Sequence, residues 1–486
     1  MKLSQLCEDL PYLIDTQGNL ETEIEAVVSS SKEKSRNGIF FCIVGARFDA
    51  HAYAAEAVAN GCAALMVERY LPLDVPQIRV SDGRAAMARI CAAFYGWPSR
   101  KMKMCGITGT KGKTTTSYMF KSICEAAGYK CGLIGTTGAL IGSKKVASHL
   151  TTPDPAELQR MLRDMLDSGV QVVGMEVSAH AIDMHRLDGM EFDVGCFTNF
   201  SQDHLDYFQT MERYFDTKKS FLLGGQVHNA ALNADDDEVA AIRTEMKVPL
   251  ITYGISANSD LYARDIEISE NGVDFKMSLH GAHDFPVHLA MTGMFNVYNA
   301  LAAASCAMVL GIDTEGICRG LEAIQSVPGR IEMLQTNTPY KVILDYSHSP
   351  DALKNILKTV RQFARGRVIA LFGCGGDRDH AKRPIMGRIG GQLADFCVLT
   401  SDNPRSENPM QILSAIEEGI RPTGKPYVVI ENRREAIRYA MNMAEEGDII
   451  VLAGKGHETY QEIMGVKRPF DEKTVVRELL DEMKKA

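Results

Sequence analysis

The last third of the chain has the plainest alternation of apolar and polar positions. From about residue 340 the short runs VILDY, VIALFG, FCVLTS, YVVI and DIIVLAG each precede a stretch of helical period. Runs that are apolar at nearly every position are buried on both faces. Alternating with helices of roughly 10 to 15 residues, they predict a parallel, doubly wound sheet over 333–486. Such sheets take ligands at the C-terminal ends of their strands, where Asp345, Gly373, Asp402 and Gly454 fall.

The first hundred residues alternate more loosely: GIFFCIV at 38–44, AYAAEAVANG, CAALMV at 62–67, then RAAMARICAAFYG. This predicts a small α/β domain over 1–100, closed by the breaker cluster Gly96-Trp97-Pro98-Ser99-Arg100. The segment 101–332 runs strand, glycine-rich turn, helix, with later strands at 170–177 (VQVVGMEV) and 193–199 (DVGCFTN). A β-rich insert follows at about 246–290, with a hairpin expected at Asn271-Gly272. The fold class predicted is therefore α/β in three domains, the central one built on a mostly parallel sheet.

Composition narrows the functional classes. The 486 residues, 45% hydrophobic and 24% charged, suit several globular cores. Sixty-two acidic against 53 basic residues leave a formal charge of -9, which disfavours generic attraction to nucleic acid or an anionic membrane. The opening MKLSQLCEDLPYLID carries acids where a signal peptide needs an apolar run, and no stretch reaches the roughly 18 apolar residues of a membrane span. Twelve scattered cysteines form no C-x-x-C pair. A cytoplasmic protein with reduced core thiols and no membrane insertion is expected.

The strongest local signal is Gly106-Ile-Thr-Gly-Thr-Lys-Gly-Lys113-Thr114-Thr115, directly after a strand and opening a helix. Backbone N–H groups of such a loop cradle phosphates, Lys113 reaches the terminal phosphates and Thr114 can ligate Mg²⁺. It departs from G-x-x-x-x-G-K-[ST], since Ile107 stands where the first glycine belongs. Glu176 ends the strand VVGMEVS, and His204 lies in the loop 198–207; beside a phosphate loop the two suggest Mg²⁺ coordination, although singly each reads as a surface or capping residue. In the helix MERYFDTKKSFLL, about 100° per residue puts Met211, Tyr214, Phe215, Phe221 and Leu222 on one face with Lys218 near its centre and Lys219 on its flank. A lysine there is desolvated and its pKa falls, unless its stem packs while its head snorkels to water.

The loop variant Gly109-Thr110-Lys111-Gly112-Lys113-Thr114-Thr115 resembles the ATP-binding loop of the Mur ligases and their folylpolyglutamate synthetase relatives. Further stretches are similar in order and spacing. The run Met291 to Asn299 resembles an adenine-contacting helix start in which Asn299 meets the base, with helix capping by Asn296 as the plainer reading. Val327-Pro-Gly-Arg330 looks like the hinge arginine segment, and Asp345-Tyr-Ser-His348-Ser-Pro-Asp351 like a turn near the ATP. Thr151-Thr152-Pro153, Ser178 and His185-Arg186 resemble contacts to a UDP-muramoyl dipeptide. Ser31 looks like part of a uridine pocket, although Ser30-Ser31-Lys32 replaces the more usual D-S-R.

The resemblance implies a central P-loop ATPase-like domain over 101–332, between a UDP-muramoyl-binding domain at 1–100 and a Rossmann-like amino-acid-binding domain at 333–486. It implies Mg²⁺ held by Thr114, Glu176, His204 and Lys218, the last as a carbamate. Asp402-Asn403-Pro404-Arg405 marks the family's diaminopimelate-adding enzymes, with Arg378, Gly454 and Glu458 matching their other contacts. Chemistry agrees: meso-diaminopimelate differs from L-lysine by one distal carboxylate, and a guanidinium fork such as that of Arg405 pairs with it bidentately. The implied activity is ATP-dependent amide-bond formation between UDP-N-acetylmuramoyl-L-alanyl-D-glutamate and meso-diaminopimelate, by a monomer. An L-lysine-adding ligase or a folylpolyglutamate synthetase would share the ATP site; a P-loop protein using nucleotide only as a switch would need no amino-acid pocket.

Overall fold

The computed structural model describes residues 1–45, 48–142, 144–146, 148, 150–269 and 271–484. The chain packs as two compact units. One comprises Met1–Tyr262, Leu279–Gly281 and Asn299–Gly320; the other Ala263–Ser278, Ala282–Tyr298 and Leu321–Ala486.

The first unit opens with a five-stranded sheet in which Gly38–Phe41, Cys62–Val67 and Gln77–Val80 run parallel and Leu13–Gln17 pairs antiparallel at the edge. Its larger sheet has Lys103–Thr108 near its centre. Val172–Glu176 lies parallel on one side and Val194–Phe197 on the other, so Gly109, Val177 and Thr198 leave from the same end. Their apolar runs are buried on both faces, against a core that includes Leu158, Leu162, Met165, Phe192 and Phe221. Leu261–Ser269, Gly272–Leu279 and His283–Leu289, most of whose residues belong to the second unit, follow one another as neighbouring strands, with Gly272 at φ 134° in the hairpin expected at Asn271-Gly272.

In the second unit Lys341–Asp345, Ile449–Ala453, Val368–Phe372, Phe396–Leu399 and Tyr427–Val429 lie side by side, all parallel, with Glu332–Leu334 antiparallel at one edge. Their side chains serve two cores in alternation. Val368, Ala370 and Phe372 meet Leu357, Met386 and Leu413 on one face; Ile369 and Leu371 meet Ile437, Met441 and Val476 on the other. This is the doubly wound arrangement that the all-apolar runs predict.

All twelve cysteines are free, and ten are buried. Among the described residues no helix is long and apolar enough to cross a membrane.

Candidate active site

The turn between Lys103–Thr108 and the helix Lys113–Ala126 is possible only with its glycines. Gly109 and Gly112 adopt φ 140° and 86°; a methyl on the first would collide with the Thr198 hydroxyl and on the second with the Asn299 carboxamide. The loop is held from the neighbouring strand's end, where Thr110 N donates to Asn199 O at 2.9 Å and Lys111 N to Asn199 Oδ1 at 2.9 Å. The Thr198 hydroxyl donates to Lys111 O at 2.6 Å. Thr115 is buried, and Thr116 meets Asn299 Oδ1 at 3.3 Å, so the helix bearing Asn299 is bonded to the one that opens the loop.

Two lysines converge on one carbonyl. Lys113 Nζ donates to Gly109 O at 2.8 Å and to Thr110 O at 3.1 Å, while Lys218 Nζ reaches Gly109 O at 2.8 Å from the helix Met211–Leu223. Lys218 is 1% exposed, beside Tyr214, Phe221 and Leu222 on the buried face, and its Nζ lies 4.9 Å from the Tyr214 ring centre. Burial and the nearby Lys113 charge hold it well below the ordinary lysine pKa, with Asp203 opposing. The helical arithmetic thus placed this residue correctly; its head does not snorkel. Lys219, on the flank, pairs with Glu245 at 3.2 Å.

On the other neighbouring strand, Glu176 is fully buried. It accepts from the Thr114 hydroxyl at 3.1 Å, Thr136 N at 2.9 Å and the Thr136 hydroxyl at 3.0 Å. Thr136 continues to Thr151 at 3.2 Å. The buried Thr152 hydroxyl donates to Glu176 O at 2.8 Å and lies 3.2 Å from the Ser178 hydroxyl, and Arg186 donates to Thr152 O at 2.8 Å while pairing with Asp154 at 3.0 Å. A connected hydrogen-bond chain therefore runs from the phosphate loop to the Thr-Thr-Pro segment. Thr136 was not singled out from sequence, although the turn Gly135-Thr-Thr-Gly138 was a signal. Ser31 lies apart, donating to Glu56 at 2.5 Å.

Thr114 and Glu176 bring two hard oxygens within 3.1 Å of each other, a donor chemistry that fits a Mg²⁺ ion. His204 is the residue before the short helix Leu205–Phe208, with φ 53°, and its ring stands 4.9 Å from that of His180 and 6.0 Å from Tyr214. Burial, opposed by Asp203 and reinforced by His180, Lys113 and Lys218, brings its imidazole down to about 4, so it is neutral at pH 7. His204 and Lys218 thus both pack on Tyr214. Among the described residues no three His, Cys, Asp or Glu side chains converge on a metal position.

The second unit carries the remaining candidates at the C-terminal end of its sheet. The turn at 327–330 rests on Gly456, and Arg330 covers the Tyr346 ring at 5.0 Å. Asp345 accepts from Ile331 N at 2.9 Å and from the Ser347 hydroxyl. His348 is exposed, 2.8 Å from Tyr346 O. The Asp402-Asn403-Pro404-Arg405 loop faces Gly454 and Glu458: Asn403 donates to Glu458 at 2.9 Å, and a methyl on Gly454 would sit 3.2 Å from Asp402. Pro404 packs on Gly376, and Gly376 N donates to Asn403 O at 2.9 Å. Arg405, at φ 52°, donates to Gly376 O at 2.7 Å and pairs with Glu462 at 3.5 Å. Arg378 is exposed; a methyl on Gly375 would lie 2.8 Å from Arg405 Nη1 and 3.9 Å from Arg378 Cγ, so both arginines flank that glycine.

Sequence reasoning missed the cation at the centre of this cluster. Lys455 is fully buried and donates to Asn403 Oδ1 at 3.0 Å and Glu458 Oε2 at 2.9 Å, with Asp402 at 3.7 Å. Its setting between two glycines in Gly-Lys-Gly-His-Glu was the available signal.

Residues 107–307 match the Mur ligase middle domain, and 329–456 the Mur ligase, glutamate ligase domain. A protein of Clostridium acetobutylicum named UDP-N-acetylmuramoyl-L-alanyl-D-glutamate--2,6-diaminopimelate ligase 1 is 43% identical, covering 99% of this chain and 100% of its own. The ligase of the same name, without the numeral, from Geobacillus thermodenitrificans is 42% identical over 99% of this chain and 100% of its own. A solved structure of UDP-N-acetylmuramoyl-L-alanyl-D-glutamate--2,6-diaminopimelate ligase superposes with TM-score 0.70 at 29% identity, over 100% of this chain and 99% of that one. The folylpolyglutamate synthase of Mycobacterium tuberculosis shares the fold, with TM-score 0.62 at 16% identity over 80% of this chain and 93% of its own. With both domain models matched in order and such identity across nearly its whole length, the chain belongs to the Mur ligase family.

Proposed function

We propose that this chain is the ATP-dependent ligase that joins meso-diaminopimelate to the D-glutamyl γ-carboxylate of UDP-N-acetylmuramoyl-L-alanyl-D-glutamate, in peptidoglycan synthesis. The observation that carries this reading is the hydrogen-bonded chain Thr114–Glu176–Thr136–Thr151, flanked by Thr152, Ser178 and Arg186, which connects a phosphate loop to residues suited to the dipeptide. Full-length relatives carrying that name support it. We assign 1–100 to the UDP-muramoyl group, 101–332 to ATP and 333–486 to the amino acid. The free, buried thiols suit a reducing cytoplasm, and we take the working form to be a monomer.

In the first step the γ-phosphoryl group of ATP passes to the γ-carboxylate, giving an acyl phosphate and ADP. Loop N–H groups hold the phosphates, Lys113 swings from the loop carbonyls to meet the developing charge, and Asn299 contacts the adenine, with Arg330, Asp345 and His348 assigned to the same nucleotide. Mg²⁺, when bound, neutralises phosphate charge, and Thr114, Glu176 and His204 would hold it. Lys218, whose burial disfavours the charged form, is suited to add CO₂ through its neutral amine; one N–C bond forms, one proton leaves, and the carbamate supplies a further anionic oxygen. Arg186 and Thr152 position the dipeptide. The α-amine of diaminopimelate then attacks the acyl carbon, and phosphate departs from the tetrahedral intermediate. Arg405 and Arg378 face the distal carboxylate, while Asp402, Asn403 and Glu458 face the ammonium groups.

The test is ADP formation with the UDP-linked dipeptide and either diaminopimelate or L-lysine, for wild type and Arg405→Ala. Turnover should require both co-substrates and prefer diaminopimelate, and the variant should lose about tenfold or more of that preference. Equal use of lysine by the wild type would refute the specificity assignment; ADP formation independent of either amino acid would refute the ligase.

A further inference from the structure

Below the amino-acid loops lies an ion pair that the mechanism does not use. Arg433 begins the helix Arg433–Met443 and Glu472 the helix Glu472–Met483; both side chains are fully buried, with Arg433 Nε donating to Glu472 Oε1 at 2.8 Å. The rest of the guanidinium does not face carboxylate. Nη2 donates to Ala453 O at 2.9 Å and Nη1 to Ser401 O at 3.4 Å.

Those two carbonyls have a particular position. Ala453 ends one strand and is followed by Gly454, while Ser401 follows Phe396–Leu399 and precedes Asp402. The two strands are not neighbours, because Val368–Phe372 runs between them. No ladder bond therefore fixes the distance between the loop beginning at Asp402 and the loop beginning at Gly454, and Arg433 spans that gap. A methyl on Gly454 would be 3.2 Å from Asp402 Oδ2 and 3.9 Å from Arg433 Nη2, so the three groups are in close reach.

Energy argues for a role other than stability. A buried ion pair seldom stabilises more than apolar side chains of the same volume would. Here Glu472 Oε2 is buried without a hydrogen-bond donor among the described residues, a further cost. Arg also supplies what no apolar residue can, a rigid planar fork that bonds one carboxylate and two carbonyls at once.

We propose that Arg433, oriented by Glu472, is a positioning residue for the amino-acid substrate: it sets the spacing between the Asp402–Arg405 and Gly454–Glu458 loops and so the fit of diaminopimelate. This rests on the reading that those loops hold diaminopimelate.

The double variant Arg433→Met/Glu472→Leu removes both charges and keeps the volume, which such pairs tolerate. Arg433→Lys keeps the charge and loses the fork. KM for diaminopimelate, ATP and the dipeptide, kcat and the melting temperature would be measured for both. The KM for diaminopimelate should rise about tenfold or more, since loop displacements well under 1 Å suffice, with the KM values for ATP and dipeptide within about twofold of wild type. A purely structural pair would move the melting temperature and leave all three KM values in place. An unchanged KM for diaminopimelate in the folded double variant overturns the proposal; if that variant does not fold, the same result in Arg433→Lys does. Wild-type turnover that ignores diaminopimelate would instead refute the underlying reading, so the two failures are distinct.

Discussion

The two candidate sites occupy the same place in similar sheets, the C-terminal ends of parallel strands, yet they are built from opposite materials. At the phosphate loop the chain uses backbone: Gly109 and Gly112 in left-handed conformations, loop amides, and threonine hydroxyls bonded to one buried carboxylate, Glu176. At the proposed amino-acid end it uses side-chain ions: Lys455 with Asp402 and Glu458, and the fully buried pair Arg433–Glu472. The ligands proposed for the two sites would account for the contrast. A polyphosphate presents many equivalent oxygens, which repeated N–H donors match in any order. A zwitterion with a second carboxylate and a second ammonium requires unlike charges at fixed separations, which only side chains provide.

The largest effect that would sharpen this contrast is expected at Lys113. Lys113→Ala should lower kcat by about 10³-fold, because it removes a cation that meets charge only as it develops. Diaminopimelate binding, measured by calorimetry, should stay at the wild-type value. A matching loss of amino-acid binding would break the separation into two chemistries.

A smaller loss, about 10²-fold, is expected for Lys218→Ala, with partial recovery in millimolar formate or acetate as the small carboxylate replaces the missing anion. Full activity of the unrescued variant would end the carbamate proposal. The burial of Lys218, with its Nζ on Gly109 O, disfavours the ammonium form there.

The same contrast decides how much of each site is legible in the sequence. The phosphate loop is contiguous, so its glycines, its lysine and the strand and helix around it sit in one window. Lys218 was reachable because a helix repeats every 3.6 residues, and a lone cation on an apolar face stands out. Arg433 and Glu472 open two different helices and meet only because the doubly wound topology stacks both on one face of the sheet. Nothing within a local window marks Arg433 as different from Arg434, which pairs with Glu478 and Glu482 outside the core. The commitments of Arg405 to Gly376 O and of Glu458 to Lys455 were hidden likewise, since motif matching supplies residues but not the partners they keep.

The smallest effect concerns the other end of one strand. Asp448 immediately precedes Ile449–Ala453 and accepts from Arg367 N at 2.7 Å, Arg367 Nη2 at 2.7 Å, Arg367 Nε at 3.0 Å and Glu445 N at 2.9 Å. Burial pushes its carboxyl upward, but Arg367 and these N–H donors outweigh it and hold the pKa below the usual range. A depressed folded-state pKa means stability that is fully present above the unfolded value of about 3.9 and is lost as pH falls through the folded one. Asp448→Asn should therefore cost about 2 kcal/mol at pH 7. The gap in melting temperature from wild type should hold down to about pH 5 and narrow below about pH 4. A gap unchanged at pH 3 would show that the carboxylate's charge is not what matters. Because this pair closes the N-terminal end of the strand whose C-terminal end Arg433 holds, the KM for diaminopimelate should not move. These outcomes at the two ends of Ile449–Ala453 would separate an ion pair kept for stability from one kept for the site.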